Sequence, residues 1–209
     1  MPTLGLLPRY GQLFTSHLRH PLLNEIMIFA AEGLVYLIPL VLLYLWFTPE
    51  GKRTNSAFQM TLTLPQVTTE DGKAKSVFIF ITIVVSLVIS YVLGQLYSHP
   101  APYMVGYDTL LVDAPENSFP SQHTTVVFAF AWAVCYVQNR WRDGLIAVML
   151  ASLVGISRVY VGVHFPIDII GAVGASLLGF IIVYAARKPV RAFANQCIRI
   201  EEYITEMVI

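Results

Sequence analysis

Charge is what this chain has least of. Lys, Arg, Asp and Glu make up 12% of its 209 residues, against about 25% in an ordinary soluble domain. The 13 basic and 13 acidic residues cancel. No basic run of the kind that neutralises a phosphate backbone is present, so nothing points to nucleic acid as a partner. Cysteine is nearly absent. Cys135 and Cys197 lie far apart, with neither metal-ligand spacing nor the even, clustered pattern of a disulfide framework. Cys135 reads as small apolar filler and Cys197 as an incidental thiol. Met1–Leu23 lacks the continuous apolar core of a signal peptide, because Pro2, Pro8, Arg9, Arg19 and Pro21 interrupt it. Its loosely spaced Leu4, Leu7, Phe14 and Leu18 predict instead a short amphipathic segment at a membrane surface.

What the chain has in quantity is apolar surface, 56% of its residues. A membrane-crossing helix needs about 20 mainly apolar residues. Ile26–Phe47 qualifies, interrupted only by Glu32 and with a kink expected at Pro39. Val77–Tyr97 qualifies with no charge at all, and Leu145–Val163 and Ile167–Ala186 qualify apart from Arg158 and Asp168. Thr124–Gln138 is shorter and is expected to start near Ser121. The expected fold is all-α: an integral membrane bundle of about five transmembrane helices plus the amphipathic N-terminal segment. It forms a single domain over 1–209, with its core at 25–186 and a cytoplasmic tail at 187–209. Gly171, Ala175 and Gly179 recur every four residues in the last span, a small-residue stripe that lets helices approach closely. Internal packing is its first reading and a homodimer the alternative.

Lys and Arg in short loops set orientation. Lys52, Arg53, Lys73 and Lys75 lie between the first two spans, Arg140 and Arg142 between the third and fourth, and Arg187, Lys188, Arg191 and Arg199 in the tail. These regions are expected on the cytoplasmic side of a plasma (inner) membrane. The Ser98–Pro120 loop and the turn at His164 carry no Lys or Arg and are expected outside. The N-terminus then falls outside as well, against which Arg9 and Arg19 count.

The titratable residues concentrate at that outer face. Ionisable groups at membrane depth are costly and mark function. Ser157-Arg158, five residues, His164, three residues, Asp168 form one unit. If Pro166 opens the last helix, Asp168 lies one turn past His164. Its carboxylate can then hold one imidazole nitrogen and leave the other free to attack. Arg158 can grip two phosphate oxygens at once; taken alone it reads equally as a side chain reaching for the interface. Upstream, Pro120-Ser121-Gln122-His123 opens the third span. A helix start offers free N–H groups to an anion, Ser121 suits the capping position, and His123 is placed to act as a general acid. The set suits metal-free phosphoryl transfer with a histidine nucleophile.

These two strings resemble the second and third signatures of the type 2 phosphatidic acid phosphatase superfamily, which spans lipid phosphatases, glucose-6-phosphatase and vanadium haloperoxidases. Pro120, Ser121 and His123 match Pro-Ser-x-His; Ser157, Arg158, His164 and Asp168 match Ser-Arg-x5-His-x3-Asp in full. The likeness covers roughly Glu25 to Ala186. It implies that His164 forms a phosphohistidine and is oriented by Asp168. It implies that His123 protonates the leaving group, and that Arg158, Ser121 and nearby amides, Gln122 among them, bind phosphate. No metal or cofactor is implied, and Ser157 is accessory. The first signature departs from the family pattern of lysine, six residues, Arg-Pro. Gly94 stands at the lysine position and Ala101 at the arginine position, before Pro102-Tyr103. Ala101 is either an engineered substitution or a natural change partly offset by His99, the candidate substitute cation. The small size, the short outer loop and the Ala31-Glu32 pair are similar to bacterial undecaprenyl-pyrophosphate phosphatases. Glu32 then either faces the site or meets an interhelical partner. The resemblance implies a polyprenyl pyrophosphate as substrate. The alternatives are another lipid phosphate, such as phosphatidylglycerophosphate or lipid A, and a lipid-phosphate binding protein without catalysis.

Overall fold

The computed structural model of this chain describes residues 20–47, 72–111, 116–138 and 140–208. The expected amphipathic N-terminal segment, and Lys52 and Arg53 of the loop expected on the cytoplasmic side, lie outside these residues. The long apolar stretches all become helices. α1, Pro21–Ile28, continues through a π-helical turn at Phe29–Gly33 and a tight turn at Leu34–Tyr36 into α2, Leu37–Phe47. α3 is Gly72–Leu96, α4 Gln122–Val137, α5 Trp141–Tyr160, α6 Pro166–Ala185 and α7 Arg187–Val208. Pro21–Phe47, α3, α5 and α6 are each long and apolar enough to cross a membrane, and α4 is a shorter apolar helix. The all-α membrane bundle expected from the sequence is the fold observed.

Pro39 itself sits inside the regular helix α2, and the irregular turns come just before it. A proline ring cannot donate to the carbonyl four residues back. For Pro39 that carbonyl belongs to Val35, inside the tight turn at Leu34–Tyr36, where the Leu37 N–H reaches it instead.

α4 is the central helix and packs against α3, α5 and α6, while α3 also packs along α6. Its inward side is built from small residues, with Ala129, Ala131 and Ala133 fully buried. Many large apolar side chains point outward: Leu43 and Phe47 from α2, Phe80 and Val88 from α3, Ile146 and Met149 from α5, Ile170 and Ile181 from α6. That inversion is what a lipid solvent permits, since lipid tails are as apolar as leucine and close packing must hold the helices together. Buried hydroxyls close their bonds locally, as when Thr82 donates to the Phe78 carbonyl and Thr125 to that of Ser121. The stripe Gly171–Ala175–Gly179 packs inside the chain. A β-carbon at Gly171 would stand 2.2 Å from the Phe119 ring, and one at Gly179 would stand 2.2 Å from Ser86 Oγ on α3.

The segment after Ala186 is no loose tail. It is a 22-residue helix that packs back along α3, where Lys73 Nζ and Glu201 Oε2 pair at 2.5 Å.

Candidate active site

One end of the bundle gathers nearly every titratable residue singled out in the sequence. Four chain segments deliver them. The first is the π-helical turn of the first rod, which presents Glu32; such turns insert one residue and commonly sit at functional sites. The second is the loop between α3 and α4. Its two ends zip together through Ser118 N–H to His99 O at 2.8 Å and Ala101 N–H to Glu116 O at 3.1 Å, which sets His99 beside Ser118. The third is the start of α4, with Ser121 in extended geometry at the capping position. The fourth is the turn between α5 and α6. Gly162 there has φ +83, and a β-carbon would stand 2.5 Å from the Asp108 carbonyl oxygen. Only glycine fits a left-handed position so tightly covered. That turn carries the chain from Arg158, in the last turn of α5, to His164, just ahead of α6.

Asp168 is the best-held side chain of the group and is fully buried. Its Oδ2 accepts the Phe165 backbone N–H at 2.7 Å, closing the start of α6. Its Oδ1 lies 2.9 Å from His99 Nδ1, which donates to a carboxylate. Ser118 fixes the same histidine from behind, its hydroxyl donating to the His99 carbonyl at 3.0 Å. The expected bond from Asp168 to His164 is not closed. His164 Nδ1 stands 3.7 Å from Asp168 Oδ2, and this buried nitrogen has no hydrogen-bond partner. A contraction of under one ångström would make the bond, and catalytic hydrogen bonds commonly tighten only around substrate. Burial holds the His164 imidazole below its ordinary value of 6.5; the nearby Arg158 charge adds to this and Asp168 opposes it. The neutral, nucleophilic form is favoured.

Arg158 is also buried. It makes an ion pair with Glu32, and its Nε has no partner. Glu32 therefore faces the site and meets an interhelical partner at once. Its other oxygen lies 3.7 Å from His123 Nε2.

The remaining candidates divide. Ser121 is buried at the expected capping position, yet its hydroxyl does not cap α4. It accepts a bond from Thr124 Oγ1 at 3.0 Å. Gln122 is exposed at the first turn of α4. Ser157 spends its hydroxyl on its own helix, donating back to the Val154 carbonyl at 2.7 Å. Ala101 is fully buried at the start of the short helical turn Pro102–Val105. The lysine position holds no cation and has little room for one: a β-carbon at Gly94 would stand 3.0 Å from the Phe119 carbonyl oxygen. His99, read as a substitute phosphate ligand, has Nδ1 committed to Asp168 and only Nε2 left over. Sequence reasoning gave Asn117 and Ser118 no role. Asn117 Oδ1 accepts from the N–H groups of His99 and Phe119, and its Nδ2 donates to the Gly94 carbonyl, so it shapes the loop under the site. The available signal was the Asn-Ser turn chemistry just before the second string. Among the described residues, no three His, Cys, Asp or Glu side chains converge as a metal site.

The family model of the PAP2 superfamily matches residues 74–191. The chain belongs to the PAP2 superfamily. It is 31% identical over 191 residues to the undecaprenyl-diphosphatase BcrC of Bacillus subtilis, covering 90% of this chain and 87% of that one. It is 45% identical to phosphatidylglycerophosphatase B of Bacillus subtilis over 95 residues, 41% of this chain and 47% of that one. Its backbone matches the crystal structure of Aquifex aeolicus LpxE with a TM-score of 0.65 at 25% identity, over 86% of this chain and 95% of that one. This PAP2 protein is a multi-pass membrane phosphatase, a hydrolase.

Proposed function

We propose that this phosphatase removes the terminal phosphate of a polyprenyl pyrophosphate, of the undecaprenyl type, and releases the monophosphate carrier and inorganic phosphate. The observation that carries the reading is the pair of buried, unpartnered donors, Arg158 Nε and His164 Nδ1, in a site built by both complete signatures. Orphaned buried donors are costly and are answered by a phosphate oxygen and by Asp168 respectively. His164 Nε2 attacks the terminal phosphorus, forming an N–P bond. The bond from phosphorus to the bridging oxygen breaks, and His123 gives that oxygen its proton. Asp168 stabilises the imidazolium so formed. A water, losing its proton to His123, then attacks the phosphohistidine and frees phosphate. Arg158 draws charge from the oxygens of phosphorus in both steps.

The substrate class rests on the long likeness to BcrC. The shorter, stronger likeness to phosphatidylglycerophosphatase B favours phosphatidylglycerophosphate as the second reading. The site is proposed to face outward from the plasma membrane. Lys73 and Lys75, Arg140 and Arg142, and Arg187 and Lys188 cluster at the ends of helices far from it in sequence pattern, and Lys or Arg is missing from the described part of the outer loop.

Phosphate release from detergent-solubilised protein tests the reading, using a polyprenyl pyrophosphate beside phosphatidylglycerophosphate and a lipid A phosphate. The pyrophosphate should be turned over fastest, and His164→Ala should abolish release from every substrate. Near-normal turnover by His164→Ala sinks the phosphohistidine route, and preference for a lipid monophosphate sinks the substrate assignment.

A further inference from the structure

The residue best suited to bind phosphate is already occupied. Arg158 holds Glu32, a carboxylate, where an anionic substrate must sit. The two partners differ in freedom. The Arg158 side chain is 4% exposed and that of Glu32 41%, so the arginine cannot leave and the glutamate can turn toward water. A second destination lies close by, since Glu32 Oε2 is 3.7 Å from His123 Nε2. The carboxylate springs from the π-helical turn Phe29–Gly33, just after the buried Ala30 and Ala31, so its backbone is held while its side chain swings.

On the phosphatase reading above, we propose that Glu32 is a built-in stand-in for substrate phosphate. In the empty site it neutralises Arg158. An arriving phosphate takes the arginine, and the released carboxylate moves onto His123, where it holds the imidazolium whose proton goes to the leaving oxygen. Glu32 thus weakens phosphate binding and supports the proton transfer. Its removal must move binding and turnover in opposite directions, which a merely structural role does not do. Apparent affinity falls by the fraction of sites that are free. A pair closed 90–99% of the time therefore weakens phosphate binding by about 10- to 100-fold.

The test uses the purified full chain in detergent and two readouts: inorganic phosphate binding by calorimetry, and kcat and KM for polyprenyl pyrophosphate. Glu32→Gln should bind inorganic phosphate about 10- to 100-fold more tightly. Its KM should fall, and its kcat should fall about 10-fold, part of the roughly 100-fold or more that a general acid contributes. Glu32→Asp keeps the charge and should bind phosphate within about 3-fold of the parent chain. If Glu32→Gln does not fold, Glu32→Ala is read the same way. Phosphate binding by a folded, charge-free variant that is unchanged or weaker overturns the proposal, whatever the turnover. Tighter binding in a protein that turns over no lipid phosphate upholds the stand-in and refutes the phosphatase reading instead.

Discussion

Asp168→Asn is the sharpest test of how the site is held. The side chain keeps its shape but loses its charge and one acceptor. In the parent chain one oxygen accepts from the Phe165 N–H at 2.7 Å and the other faces His99 Nδ1 at 2.9 Å. An amide nitrogen cannot face the Phe165 N–H, so the asparagine must turn its oxygen there and its NH₂ toward His99. His99 must then present Nδ1 as an acceptor and change tautomer. Two charge-assisted bonds, worth about 1.5–3 kcal/mol each, become neutral ones of about 0.5–1.5 kcal/mol, a loss of about 2–3 kcal/mol together. Part of this is returned because a neutral group costs less to bury, so thermal stability should fall modestly. Catalysis should suffer more. His164 loses the counter-charge for its imidazolium, as when the carboxylate of a catalytic triad is removed, and kcat should fall by about 100- to 10,000-fold. Phosphate release at saturating substrate, beside a melting curve on the same sample, reads both effects. A variant that melts normally and keeps more than about a tenth of the parent kcat would refute the assignment of Asp168 as the group that orients and charges His164.

Ala101→Arg should raise turnover, because the added guanidinium shares phosphate charge that Arg158 meets alone. One donor to a developing oxyanion is worth about 100- to 1000-fold, and no gain beside good starting activity would show that the position is not used. Because burial lowers the His164 pKa, the neutral nucleophile persists below pH 6.5, so the acid limb of kcat/KM assigned to it should lie below that value; a limb centred above pH 7 contradicts this. In a background lacking Cys135 and Cys197, a cysteine at exposed Met104 should react with an impermeant thiol reagent on intact cells while one at Arg142 stays silent; the reverse pattern places the site on the cytoplasmic side.

The helices were legible because spans of apolar residues have one structure available in lipid. The cluster of Arg158, His164 and Asp168 was legible because they are ionisable residues where such residues are costly. What escaped was everything fixed by contacts across the bundle. Spacing puts Asp168 one turn beyond His164, which is true, yet spacing says nothing of His99, 69 residues earlier, which takes the shorter bond to the same carboxylate. The π-helical turn that aims Glu32 has no local signature, since Phe29-Ala30-Ala31-Glu32-Gly33 suits an ordinary helix equally well. Ser157, part of a signature, spends its hydroxyl on its own helix, a choice that depends on a rotamer. The C-terminal helix was missed because its mixed polarity was read as a tail; the face that docks on α3 becomes visible only once Lys73 and Glu201 meet.

Charge balance links the departures from the family pattern. With neutral histidines, Arg158 brings one positive charge and Glu32 and Asp168 bring one negative charge each, leaving the site at minus one. An anionic pyrophosphate entering such a site is repelled unless a carboxylate withdraws. Asp168 cannot withdraw, because it is buried and tied to Phe165 and His99. Glu32 can. An arginine at 101 brings the sum to zero and weakens the need for that movement. Ala101 and Glu32 therefore act on one quantity, the field at the phosphate. Residues that share a field are not independent, so on the proposed reading the loss of a cation at 101 sets how strongly the carboxylate at 32 governs entry to the site.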